Sequence, residues 1–348
     1  MGINKKTKTM DKYIFWNNKG GTGKTSLCFQ SVVSYAEYNH GRHILVVDLC
    51  PQANLSELML GGLMGNGSTH LTSLQSQNPR KTVGGYFDKR ILSPYSMPAG
   101  LNPADYIVTP VNFNANIPVN VDLIAGDSIV ELQATYMSAI ANGSLPNGQS
   151  PYAFVLCWLK DLLQMVSAEY DLVFIDSNPS FSLYTQVAIA ASDKMIVPVM
   201  ADDSSRRALL NLLALVYGYN IPAAYSANNF NTVMTQANLP LPQIHLIVKN
   251  RITQYMGPAS GYRAVLQSID RIISQVQTAN PSFFTSTKVI EEIRDFQTTG
   301  VIAYAEAKTF NKLLGESLVH IINGNSTTLN RGYIQQNQAD VDKIVARL

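Results

Sequence analysis

The chain has 348 residues, 46% of them hydrophobic, which suffices for a sizeable core and is long for one sheet domain without an insertion. Its formal charge is only +2, so no global field demands nucleic acid as a partner. Cys28, Cys50 and Cys157 lack metal-ligand spacing, no apolar run is long enough to span a membrane, and Lys5, Lys6 and Lys8 precede no signal-like segment. Cys28 and Cys157 read as buried small residues, and the expected setting is a reducing cytoplasm.

The first predicted element is a short apolar strand over 13–16. It runs into Lys19-Gly20-Gly21-Thr22-Gly23-Lys24-Thr25-Ser26. Glycines let successive backbone N–H groups turn inward, and a helix starting near Lys24 adds the positive end of its dipole, an arrangement that cradles phosphates. In that reading Lys24 reaches the β- and γ-phosphates of a nucleotide and Thr25 ligates Mg2+. Position 18 is Asn, so the strict phosphate-loop pattern fails by one residue. A second lysine, Lys19, stands just ahead of the glycines instead.

A helix over 27–39 and a turn at His40-Gly41 lead to a continuous apolar strand, 44–47, that ends on Asp48. Such a strand is buried on both faces, which points to a parallel sheet, and a right-handed crossover places Asp48 beside the phosphate loop. Glycine pairs and six prolines make 61–118 a loop-rich insertion within a single domain spanning 1–348. The pattern recovers with a strand at 121–124, helices at 129–140 and 152–167, and an apolar strand at 172–175 ending on Asp176. Strand-then-Asp is the Walker B form, whose carboxylate holds the metal through water. An amphipathic helix at 204–219, a loop at 220–242, a strand at 244–248 and helices at 307–322 and 333–347 close the chain. The fold class is therefore α/β, a mostly parallel twisted sheet with helices on both faces.

Three stretches carry a family resemblance: the loop at 19–25, Val47-Asp48-Leu49-Cys50-Pro51-Gln52-Ala53-Asn54, and 170–180 followed by Ile196-Val197-Pro198-Val199. Together they resemble the ParA/MinD-type ATPases, the deviant Walker A class of P-loop proteins, and chiefly the ParA branch. The resemblance implies a homodimer closed around two ATP molecules, with Lys19 crossing to the partner's phosphates. It implies nucleotide contacts from Lys19 to Ser26 and at Asn250, and a metal site at Thr25, Asp48 and Asp176. In the family a second Asp, two residues after the position of Asp48, helps position the attacking water. Here it is Cys50, a thiol mostly neutral at pH 7. Either hydrolysis is slow or another group, such as Asn54 or Asp202, takes that role.

Charge is uneven along the chain. Residues 249–348 hold 11 Lys/Arg and 8 Asp/Glu, whereas 61–248 hold 8 and 12. Candidates for a phosphate-backbone face are Lys249, Arg251, Arg263, Arg271, Lys308, Arg331, Lys343 and Arg347, with Arg206-Arg207 an alternative for DNA or an activating partner. The implied function is a partition or cargo-positioning ATPase whose ATP-bound dimer binds double-stranded DNA without sequence preference. A cargo-bound adaptor then stimulates hydrolysis and release. Two rivals are a MinD-like membrane-positioning ATPase and a nucleotide-locked DNA-binding switch with little turnover. The tail places Val341, Ile344, Val345 and Leu348 on one face and lacks aromatics, so a docked helix is expected rather than a membrane anchor.

Overall fold

The computed structural model describes residues 10–226, 229–252 and 260–348. Its centre is an eight-stranded sheet of β1 (Asp11–Phe15), β2 (Ile44–Leu49), β3 (Ile107–Val108), β4 (Val121–Ile124), β5 (Leu172–Ser177), β6 (Lys194–Val199), β7 (Gln243–Ile252) and β8 (Ile290–Arg294). They lie in the order β3-β4-β2-β5-β1-β6-β7-β8, parallel throughout except for the β3–β4 pair at one edge.

Alternation along these apolar strands feeds two cores, one on each face. Ile14, Val47 and Ile175 point into the core beneath helices Val130–Ala141, Trp158–Met165, Leu183–Ala190 and Asp203–Tyr217. Phe15, Val46 and Phe174 point into the core shared with helices Lys24–Tyr38 and Arg331–Val345. Coverage of both faces is why the strands show no polar alternation. The register sets Asp48 opposite Asp176 across β2 and β5, and Phe15 opposite Asp176 across β1 and β5. Both carboxylates therefore reach the sheet edge where β1 hands over to the glycine-rich loop.

Several expected elements differ in detail. The helix read at 152–167 is two, Pro151–Leu156 and Trp158–Met165, meeting at Cys157. The segment 61–118 is more regular than its prolines suggest, with helices Gly67–Gln75 and Val83–Leu92 and the edge strand β3. The 220–242 loop contains helix Phe230–Gln236. The helix read at 307–322 does not form. Helix Gln297–Glu306 instead ends at Ala307, which is left-handed at φ 51°, and Thr309 caps a new short helix, Phe310–Leu314. A hairpin follows, β9 (Val319–Ile322) and β10 (Asn325–Thr328), turning through Asn323 and Gly324 at φ 51° and 79°. Asn-Gly between two short runs favours this type of turn, and it outweighs the helical spacing upstream.

The last helix, Arg331–Val345, is docked. Ile334, Val341, Ile344 and Val345 are buried, and Asp340 fastens the helix to β8. The Asp340 carboxylate accepts the Arg294 backbone N–H at 2.9 Å and Arg294 Nε at 2.8 Å, and pairs with Lys343 at 2.7 Å. Burial opposes ionisation of Asp340, yet the Arg294 and Lys343 hydrogen bonds hold its pKa below the ordinary carboxylate value. A depressed folded-state pKa means this stabilisation is complete above the usual carboxylate range and is lost as pH falls below it. Asp340→Ala is expected to lower unfolding free energy by about 3 kcal/mol at pH 7, measured by urea denaturation, with a smaller loss at pH 3. No helix among the described residues is long and apolar enough to cross a membrane.

Candidate nucleotide-binding site

The loop between β1 and helix Lys24–Tyr38 is shaped by its glycines. Gly21 and Gly23 are left-handed, at φ 73° and 86°, and helix Lys24–Tyr38 begins directly after Gly23. A Cβ at Gly23 would lie 2.5 Å from Asn250 Nδ2, so a side chain there would displace the Asn250 amide as well as strain the left-handed backbone. Gly20 and Gly21 face open space and are exposed. Below the loop, Asn17 Nδ2 donates to the Pro198 carbonyl and ties the turn to β6. Lys24 is buried, and its ammonium donates back to the Lys19 carbonyl at 3.0 Å. Burial lowers its pKa.

The carboxylates are held differently from one another. Thr25 Oγ1 donates to Asp176 Oδ2 at 2.7 Å, while Asp176 Oδ1 is buried without a hydrogen-bond partner. Asp48 accepts from the Ser56 backbone N–H and hydroxyl, both at 2.8 Å, and from the Cys50 N–H at 3.1 Å. Ser56 Oγ in turn accepts the Gly126 N–H at 2.8 Å. Burial raises both carboxylate pKa values, and for Asp176 the neighbouring Asp48 raises it further. Two desolvated carboxylates side by side, one with an orphaned oxygen, fit a divalent cation that supplies the missing positive charge. Among the described residues no group of three or more His, Cys, Asp and Glu could hold a metal ion. A cation here could take its remaining ligands from Thr25, phosphate oxygens and water.

A cavity of about 460 Å³ opens beside the loop, lined by Gly23, Ser26, Asn250, Phe296 and Tyr304 among others. Its position suits the nucleoside half of a ligand whose phosphates lie on the loop. The AAA domain family matches residues 10–220, well over half of the chain.

The chain belongs to that family, as a P-loop ATPase of the ParA/MinD type and the ParA branch. It is 28% identical to the chromosome-partitioning ATPase Soj of Thermus thermophilus over 57% of this chain and 58% of that one. It is 27% identical to the chromosome partitioning protein ParA of Myxococcus xanthus over 53% and 50%, respectively. The chain thus spans about half the length of these curated relatives. Its fold is similar to an ATP complex of a McdA variant from Cyanothece, with a TM-score of 0.61 at 14% identity, covering 97% of each chain. It is also similar to pNOB8 ParA, with a TM-score of 0.56 at 14% identity, covering 97% and 98%.

In this ParA-type chain Lys19 is held in its own subunit. Its ammonium donates to the Asp202 carboxylate and, at 3.2 Å, to Ser205 Oγ. Asp202 also caps helix Asp203–Tyr217, accepting the Ser205 N–H at 2.7 Å. Burial works against ionisation, but the hydrogen bonds from Lys19, Ser205 and Ser204 hold Asp202 at about 2. Asp202 is therefore committed to an ion pair and a cap. Cys50 is buried, and burial, then the Asp48 charge, push its thiol up to about 12. Asn54 opens helix Asn54–Met59 and is half-buried. Asn250 lines the cavity, but its Nδ2 donates to the Thr22 carbonyl at 2.9 Å and its Oδ1 accepts the Arg251 N–H at 2.8 Å. Its amide thus ties β7 to the phosphate loop. Thr22 Oγ1 is buried without a partner.

The basic candidates separate into two groups. Lys249 is a correction: it is buried between Asp270 and Glu292, at 2.8 and 3.0 Å, and does not face solvent. Lys308 is clasped by Glu306 and Glu316, Lys343 by Asp340, and Arg347 by Glu291. Arg251, Arg263, Arg271 and Arg331 are exposed, as is Arg207 beside Asp203. In the sequence Lys249 directly follows the strand read at 244–248, but only packing of helix Ser260–Ala279 and β8 around it supplied two carboxylates. Ser56, the residue that fixes Asp48, carried no signal in the sequence. Its role arises from the turn that brings it back under β2.

Proposed function

We propose that this chain is an ATP-driven partition or cargo-positioning ATPase. The observation that carries the reading is the conjunction at the end of the sheet: a left-handed glycine loop, a buried Lys24, Thr25 bonded to Asp176, and a second lysine at the rim. Lys24 and the loop N–H groups would bind the phosphates of ATP, and Thr25, Asp176 and Asp48 would hold Mg2+. The metal, when bound, neutralises charge on the phosphates and polarises the transferring phosphoryl group. Ser56 keeps Asp48 oriented throughout. Lys19 leaves Asp202 and reaches the phosphates of a second copy, adding a cation where charge develops. Nucleotide then favours the dimer, because two facing lysines repel until phosphates lie between them.

In the ATP state the doubled exposed arginines, Arg251, Arg263, Arg271 and Arg331, would bind double-stranded DNA through its phosphates. An adaptor on the cargo would stimulate hydrolysis and return the chain to its free state. Relatives named for chromosome partitioning, Soj and ParA, support this reading. The test is DNA binding by the purified chain with ATP, ADP and no nucleotide over a salt series. Salt-sensitive binding with ATP alone is the expected result. Equal binding in all three states, or none in any, defeats the DNA reading.

A second reading, a nucleotide-locked switch with little turnover, is favoured by the neutral, buried Cys50. The membrane-positioning alternative finds less support, since the apolar face of helix Arg331–Val345 is already buried.

A further inference from the structure

Helix Gln297–Glu306 forms one wall of the nucleoside cavity and turns Gln297, Gly300, Val301 and Tyr304 toward it. Val301 and Tyr304 remain 65% and 40% exposed. Apolar side chains left open at a cavity wall gain free energy from whatever covers them. Both ends of this helix rest on non-glycine residues in the left-handed region, Gln297 at φ 46° and Ala307 at φ 51°. Such residues are uncommon, and φ/ψ changes at element ends are what hinges use.

The far end of the helix is fastened on two sides. The Met64 N–H donates to the Ala305 carbonyl at 3.0 Å. Gly62 packs so closely on the same turn that a Cβ would lie 2.9 Å from Ala307 Cβ. The 61–65 turn follows helix Asn54–Met59, whose Ser56 holds Asp48. On the other side Glu306 accepts from His320 Nδ1 of β9 at 2.7 Å and from Lys308 at 2.9 Å, and Lys308 also pairs with Glu316 at 2.6 Å. One helix thus touches the nucleoside cavity, the support of Asp48 and the β9–β10 hairpin.

We propose that helix Gln297–Glu306 is a lid that closes over the nucleoside, turning at Gln297 and Ala307, and that Glu306 carries the movement to the hairpin. This rests on the nucleotide reading above. Burying Val301 and Tyr304 against bound nucleoside stabilises the closed state over the open one, which is the differential affinity a ligand-driven change requires. The Glu306–His320 bond then makes the hairpin report whether the cavity is filled.

Hydrogen exchange on the full chain, with a fluorescent N-methylanthraniloyl-ATP titration under the same conditions, tests this. With ATP, exchange over 297–306 and over 319–322 is expected to slow by about fivefold or more. Tyr304→Ala, a truncation on an exposed face, is expected to weaken the fluorescent nucleotide by about tenfold. Glu306→Gln is expected to keep slowed exchange at 297–306 and lose it at 319–322. Nucleotide that binds without slowing exchange at 297–306 overturns the lid and leaves the nucleotide reading standing. Slowed exchange at 319–322 that survives Glu306→Gln overturns the coupling through Glu306. Failure of the nucleotide to bind at all defeats the nucleotide reading and the lid together.

Discussion

Lys24→Ala is expected to reduce ATP turnover by about a thousandfold and to abolish tight nucleotide binding. Lys24 is 7% exposed and donates to the Lys19 carbonyl, so without nucleotide its ammonium is hydrogen-bonded to a neutral loop oxygen, with the charge of Asp176 nearby. Burial already disfavours its charged form. A desolvated ammonium interacts far more strongly with a triphosphate than a solvated one does, because the surrounding dielectric is low. Phosphate-release assays give the turnover, and nucleotide titration gives the affinity. Lys24→Met separates charge from packing, since it retains an apolar stem without the ammonium. If Lys24→Met binds ATP as the parent does, the charge is not what holds the phosphates, and the site assignment fails.

Cys50→Asp is expected to act in the opposite direction, raising turnover by about a hundredfold. The Cys50 thiol, pushed up to about 12, carries no appreciable negative charge between pH 6 and 9 and supplies neither a base nor a strong acceptor for water. An aspartate there would supply the carboxylate that the family resemblance implies for positioning the attacking water. Cys50→Ala should leave turnover within about twofold of the parent, because the neutral thiol contributes little. Thermal unfolding of each variant separates chemistry from damage, since Cys50→Asp puts a third carboxylate next to Asp48. A large fall in turnover for Cys50→Ala would show that the thiol participates after all. Unchanged turnover in Cys50→Asp would favour the nucleotide-locked switch and place the limit elsewhere.

Much of the fold was legible wherever local chemistry and global packing agree. The strands at 13–16, 44–47 and 172–175 are continuous apolar runs, and each is buried in the sheet interior. The glycine loop announces its own conformation, because left-handed backbone at Gly21 and Gly23 is what those residues permit most readily. The C-terminal half was harder to read. Residues 297–328 contain two short helices and a hairpin; the helices part at Ala307, which is left-handed and gives no sign of that conformation in its side chain. Strand β8 carries two glutamates and an arginine, which hides it from an apolar-run reading.

The sequence alone determined the glycine and lysine pattern of the loop, the two strand-terminal aspartates and the thiol at position 50, because each depends on residue type at a fixed short spacing. Tertiary structure decided which charges are free. Lys19 and Asp202 are 183 residues apart, Lys249 meets Asp270 and Glu292 from two other elements, and Asp340 reaches Arg294 across 46 residues. No local pattern encodes such pairings. They arise when the chain closes on itself, and for Lys249 and Asp340 burial forces the ionised group to find a partner, since an unpaired buried charge is too costly to keep.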